Sequence, residues 1–173
     1  MSANKSAFFR SATAFAMAVP LTIAAFATDA EAAKKWGPVI TQHLGAIDFQ
    51  PVEFIGSLTT DYVTPGGVRV TGGETYYNAP IRLPVGTKVL SIEVFLNPNG
   101  ISADIAVHRY HPKKLKSAEV AATTSTNGTE VEGVFMDISE VVKDKWNYRI
   151  DSLYMIPDGH ILYGAKITYR LPK

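Results

Sequence analysis

Between residues 148 and 171 the chain reads YRIDSLYMIPDGHILYGAKITYRL: two alternating, apolar-rich runs on either side of Pro157-Asp158-Gly159. Alternation with period two marks a strand with one buried face, and a Pro-Asp-Gly cluster between two such runs predicts a β-hairpin. Alternate side chains share a face. Tyr148, Ile150, Ser152 and Tyr154 therefore group in the first run, and Ile161, Tyr163, Ala165, Ile167 and Tyr169 in the second, with Lys166, Thr168 and Arg170 pointing away. A ribbon with one apolar face is stable only when that face lies on another sheet. The rest of the fold has to supply that partner.

A second hairpin is expected over residues 88–110, turned by Asn97-Pro98-Asn99-Gly100. In it Leu90, Ile92, Val94 and Leu96 face the core together with Ile105 and Val107, while Ser91 and Glu93 face out. Elsewhere strand-like runs and turn clusters alternate roughly every ten residues. Pro51 marks its run as an edge strand or a bulged one. Residues 55–67 read as a loop or weak strand closed by a Pro-Gly turn, and 68–71 and 75–83 as strands split by Gly72-Gly73. Residues 83–87 form a tight connection and HPKKLK (111–116) a solvated loop; 118–124 and 130–138 are strands. Residues 139–145 are the one expected helical turn, with Ser139 as N-cap and Glu140 in its first turn. Many short strands, no long amphipathic helix and no repeat give an all-β, two-layer antiparallel β-sandwich, jelly-roll or Ig-like in connectivity.

The amino terminus is of different character. Lys5 and Arg10 precede an Ala-rich apolar run that carries Pro20, and Ala30-Glu31-Ala32 places small residues around a cleavage point. This is the pattern of a bacterial-style signal peptide. The apolar run falls short of the ~20 residues of a membrane span. Residues 1–32 are thus assigned to a cleaved signal peptide and 33–173 to a single β-sandwich domain, secreted or periplasmic, with no stable membrane anchor after cleavage. The mature chain of 173 − 32 = 141 residues is long enough to bury a core without staples, consistent with the absence of cysteine. A net charge of +1 gives no electrostatic reason to expect nucleic acid or anionic lipid as a partner.

Three stretches carry a family resemblance: Asp48-Phe49-Gln50-Pro51; residues 79–87, APIRLPVGT, followed by an alternating strand; and residues 162–169, LYGAKITY. Over about residues 46–170 the chain resembles a family of exported bacterial β-sandwich proteins of unassigned function. The resemblance implies fold and export. It brings no catalytic residues with it.

The residues themselves contain no Gly-x-Ser-x-Gly elbow, P-loop, dinucleotide fingerprint or zinc motif. His108 and His111 are three apart, which on a strand puts them on opposite faces, so no metal site and no cofactor is expected. A distributed acid/base set of Asp48, Asp104, His108, Asp151, Asp158 and His160 is available, but Asp104 and Asp151 fall on outward faces and Asp158 belongs to a turn. No catalytic residue is assigned. Tyr62, Tyr76, Tyr77, Trp146, Tyr148 and Tyr154 include candidates for an aromatic sugar platform. Trp146, Tyr148 and Tyr154 alternate in phase with Ile150 and read as core. Tyr76 and Tyr77 are strand neighbours, so one of them must face outward, and this pair is the candidate ligand-binding site. Lys113, Lys114 and Lys116 read as a solvated loop, with acidic glycans or lipopolysaccharide as their alternative contact.

The sequence therefore points to a non-enzymatic secreted or cell-envelope binding or structural module. It works through exposed rims, with a glycan or envelope component as partner and a monomer-sized elution. Two other readings stay open: a carbohydrate-active hydrolase with an undetected carboxylate pair, and a self-assembling homo-oligomeric subunit that uses a free sheet edge. Long helices between the ribbons, or a buried histidine–acid constellation opening onto solvent, would end this reading.

Overall fold

The computed structural model describes residues 36–63, 66–152, 156 and 158–173, without the side chains of 53–62, 70 and 72–74. The expected signal peptide, Tyr154 and Pro157 lie outside the described residues, as does the side chain of Tyr62. Among the described residues nine strands are present: β1 (Trp36–Gly45), β2 (Gln50–Val63), β3 (Gly67–Ile81), β4 (Lys88–Asn97), β5 (Asp104–His111), β6 (Lys116–Thr124), β7 (Glu132–Val141), β8 (Asn147–Ser152) and β9 (Ile161–Pro172). They form two antiparallel layers. One runs β6-β5-β8-β3 with β2 on the far edge of β3; the other runs β7-β4-β9 with β1 on the far edge of β9. The fold is the all-β sandwich expected from the alternation.

The long strand β3 belongs to both layers. Its carboxy-terminal half pairs with β8 (Asn78 opposite Asp151), and its amino-terminal end pairs with β9 (Val68 opposite Leu162). Between them Thr75 and Ile156 exchange backbone hydrogen bonds of 3.2 and 2.7 Å. The expected hairpin over 148–171 is therefore not formed. Its two runs meet one edge of β3 end to end and point the same way. β8 instead takes β5 and the carboxy-terminal end of β3 as its partners, and β9 takes β4 and β1 along its length, meeting β3 at Val68 and Arg69. The second expected hairpin is also absent. β4 pairs with β7 and β9 while β5 pairs with β6 and β8, so the turn at 97–100 carries the chain from one layer to the other. Asn99 (φ 49°) and Gly100 (φ 85°) make it tight without making it a hairpin.

Other corrections are local. β3 is unbroken across Gly72-Gly73, and of the two alternatives for residues 55–63 the strand is the one formed, because the two stretches pair with each other. No helical turn forms at 139–145. β7 continues to Val141, and Glu140 faces Val89 of β4 in the ladder. Pro51 does sit on an edge strand, beside a register shift.

The inner faces carry Ile92, Val94, Leu96, Ile105, Val107 and Ile150, all at most 2% exposed, so the expected phase of these strands is met. Two bulges change the phase elsewhere. Leu90 is the extra residue between Val89 and Ser91, so Val89 is buried in its place. In β9 Tyr163 is extra between Leu162 and Gly164, so Leu162 joins Ala165 and Ile167 inside while Ile161 and Tyr163 are displaced from the core face.

Tyr77 is core, 2% exposed, and among the described residues its hydroxyl has no hydrogen-bond partner. Burial pushes this phenol from 10.0 up to about 12. Because the folded value is the higher one, the associated stability is complete below pH 10 and is lost as pH rises through 12. The loss amounts to about 2–3 kcal/mol. Tyr77→Phe is expected to remove this alkaline loss while leaving stability at neutral pH equal or slightly higher. Urea midpoints at pH 7 and pH 11 check it.

Candidate functional site

The outer face of the β6-β5-β8-β3-β2 layer is polar where three strands meet. In β8, Tyr148 and Ile150 point into the core, so Arg149 and Asp151 project outward. In β3, Tyr77, Ala79 and Ile81 point inward, which leaves Tyr76 and Asn78 outside. β5 contributes Ala106, His108 and Tyr110. The register sets Asp151 between Asn78 and Ala106, and Arg149 beside His108. Ala106 is fully buried and small, so the adjoining side chains close over it.

Asp151 is the centre of this arrangement. Its Oδ2 accepts a hydrogen bond from Arg149 Nε at 2.9 Å and lies 2.8 Å from His108 Nδ1. An unprotonated carboxylate only accepts, so Nδ1 carries the proton and Nε2 is left for another partner. The Asp151 side chain is 11% exposed against 23% for His108, which makes the acid the floor of the site. Arg149 also lies over the Tyr110 ring, 5.5 Å from its centroid. Charge pairing and stacking thus fix four side chains, His108 and Tyr110 of β5 with Arg149 and Asp151 of β8.

These groups open onto a hollow of about 460 Å³ that Val52, Tyr76 and Ser117 also line. A second hollow, also about 460 Å³, begins at the shared residues Asn78 and Arg149 and runs past Pro80 and Tyr110 to Trp146. Together they form one groove across β2, β3, β8 and β5. Each half lies in the size range of small-molecule sites. Among the described residues that line the two hollows, Asp151 is the one carboxylate.

The sequence candidates fall as follows. Tyr76 is the outward, half-buried member of its pair and lines the groove; Tyr77 lies beneath it in the core. Of the six acid/base candidates, His108 and Asp151 are brought together. Asp48 instead accepts the Gly45 N–H at 2.8 Å, Asp104 accepts from Thr124, Asp158 is exposed, and His160 is buried with Nε2 2.7 Å from the Ile101 carbonyl. His108 and His111 do take opposite faces. His111 packs edge-on against Trp146, ring centroids 5.5 Å apart. Among the described residues no group of three or more metal-ligating side chains occurs. Tyr148 is buried as expected, its hydroxyl donating to Glu140 at 3.0 Å and accepting the Lys143 N–H at 3.2 Å. Burial is the main cause that raises its phenol above 10.0. Trp146 is half-buried at the end of the core, under the Arg109 guanidinium at 5.1 Å.

The sequence reading missed Arg149, Asn78 and Tyr110. The available signal was Arg149-x-Asp151, two opposite charges sharing the outer face of a strand whose other face is core.

No protein-family model matches the chain, and no curated protein matches it. Among solved structures it is similar to the C-terminal CBM6 of LamC, a marine laminarinase from Zobellia galactanivorans, with 12% identity over 75% of this chain and 99% of that one and a TM-score of 0.50. A family 29 carbohydrate-binding module gives 9% identity over 76% and 92% of the two chains, with a TM-score of 0.48. The CBM22 and GH10 modules of xylanase 10B from Clostridium thermocellum, complexed with xylohexaose, give 13% over 79% of this chain and 29% of that one, with a TM-score of 0.46. The likeness to the LamC module is one of fold: a β-sandwich. It agrees with the sandwich implied by the sequence resemblance and adds no sequence family to it. Among the described residues no helix is long and apolar enough to cross a membrane.

Proposed function

We propose that the chain is an exported, non-catalytic carbohydrate-binding module that holds a glycan in the groove on the outer face of β2, β3, β8 and β5. One observation carries this reading: a buried carboxylate, Asp151, holds His108 and Arg149 rigid on the floor of an open groove edged by an outward tyrosine. Sugars present hydroxyls that both donate and accept, beside flat C–H faces. Preset charged hydrogen-bonding groups next to an aromatic ring suit both features. Fold likeness to binding modules supports the class, and the amino-terminal pattern supports export.

The test is a glycan array and affinity electrophoresis on the purified protein. At least one polysaccharide is expected to retard it, with Tyr76→Ala weakening retardation by about tenfold or more, as loss of a ring contact of 1–2 kcal/mol implies. Tyr77 has no place in this comparison except as phenylalanine, since its truncation opens the core. Equal binding by Tyr76→Ala would remove the platform from the reading.

A second reading has a specific observation behind it. A histidine oriented by a carboxylate is the arrangement of a general base, and this one faces solvent. Against it, Asp151 is shared with Arg149, and the Ser152 hydroxyl is occupied by the Tyr77 N–H at 3.0 Å. The two-carboxylate route of glycoside hydrolysis finds one carboxylate among the described groove residues. Release of reducing sugar by the wild type and not by His108→Ala would decide for the enzyme.

A further inference from the structure

The groove does not end at Tyr110. Trp146, Asn147, Leu83 and Val142 line both its second hollow and a third, of about 240 Å³. The far walls of the third are His111, Lys113, Lys143 and Lys145. Trp146 is the aromatic side chain common to the two hollows. Arg109 over its ring and His111 at its edge hold it in place.

Charge along this path is one-sided. The second hollow carries Arg82 and Arg149 and, among its described residues, no carboxylate. Around the third, the carboxylates facing the lysines are Glu140 and Asp144. Glu140 is already engaged by Arg109 and lies 3.4 Å from Lys143, while Asp144 meets Lys145 at 3.9 Å with both side chains 72% exposed. Arg109, Lys113, Lys143 and Lys145 thus outnumber their counter-charges. His111 lines the same hollow, is 6% exposed, and among the described residues leaves Nδ1 without a hydrogen-bond partner. Such an unpaired buried nitrogen asks for a completing group. With a chain net charge of only +1, this excess is local, so it discriminates between ligands at the site rather than gathering polyanions in general.

We propose that the third hollow is an acid-recognition subsite and that the glycan is an anionic polysaccharide, bearing carboxylates or sulfate esters. Its sugar rings lie over Tyr76 and Arg149, and one acid group sits among Lys113, Lys143 and Lys145. This rests on the groove being the glycan site. An acidic polymer binds along the whole path, and a neutral one engages only the first two hollows.

Calorimetric titration of the purified protein with polygalacturonate, carrageenan, xylan and a DNA oligonucleotide tests it. One acidic polysaccharide is expected to bind at least about tenfold tighter than xylan at low salt, as two or three partly exposed charge contacts imply. Which one it is distinguishes a carboxylate from a sulfate ester. The double variant Lys113→Glu, Lys145→Glu should erase that margin and leave xylan binding as it was. Lys114→Glu, on the same turn but outside the hollow, should keep it. Xylan bound as well as both acidic polymers overturns the subsite while leaving the groove reading intact. An equal loss from Lys114→Glu, or equally tight DNA, reduces the effect to general charge attraction and also overturns it. Binding of none of the polysaccharides ends both readings together.

Discussion

Gly164→Val is expected to be among the most destabilising single substitutions in the protein. Gly164 sits in the central strand β9, opposite Gly45 of β1 on one side and Phe95 of β4 on the other. Its φ is 138°, a conformation that side-chain-bearing residues rarely adopt, and a Cβ there would run into the Leu44 carbonyl oxygen. That obstacle is ladder backbone and cannot rotate aside. Backbone strain and steric displacement together place the cost at about 4–5 kcal/mol, a large part of the 5–15 kcal/mol typical of a domain. Thermal unfolding should show a fall in Tm of about 10–20 °C. Gly66, whose φ is also positive at 71° but which has no neighbour within 4 Å of a built Cβ, is the control: Gly66→Ala should cost far less.

The largest functional effect is expected at Asp151. Its removal frees His108 and Arg149 at once, because one oxygen holds both. Asp151→Ala should weaken glycan binding by about a hundredfold or more, since hydrogen bonds to charged groups contribute about 1.5–3 kcal/mol each. It should also lower stability by about 1–3 kcal/mol, as a half-buried imidazole and a guanidinium lose their partner. Denaturation curves and titrations on the same preparation separate the two effects. Affinity that follows stability, recovering fully at lower temperature, would reduce Asp151 to a structural residue.

What could be read from the sequence was what depends on near neighbours. The inward faces of Ile92-Val94-Leu96, Ile105-Val107 and Tyr148-Ile150 follow from alternation alone. So do the outward positions of Asp151 and of one member of Tyr76-Tyr77. The failures share one cause, dependence on a distant strand. Leu90 and Tyr163 change the phase because of bulges that exist only against their partners. Pro157-Asp158-Gly159 supplies turn chemistry either way, and only the distant strands β5 and β3 for one run, β4 and β1 for the other, decide that the flanking runs pair with them rather than with each other. The same holds for the site. His108 and Asp151 are 43 residues apart, and the β5–β8 register that joins them is not written in either segment. The sequence reading placed function at the rims of the sandwich; the constellation found lies on the face of one sheet.

The account turns on where a sugar binds. The most direct measurement is the amide chemical-shift map of the labelled protein, titrated with an oligosaccharide of whichever polysaccharide the array selects. The account predicts shifts concentrated at Tyr76, Asn78, His108, Arg149 and Asp151, with the outer face of the opposite sheet, at Phe95, Phe135 and Lys166, undisturbed. Shifts confined to that opposite face, or to the loops around Gly100 and Asn127, would contradict it.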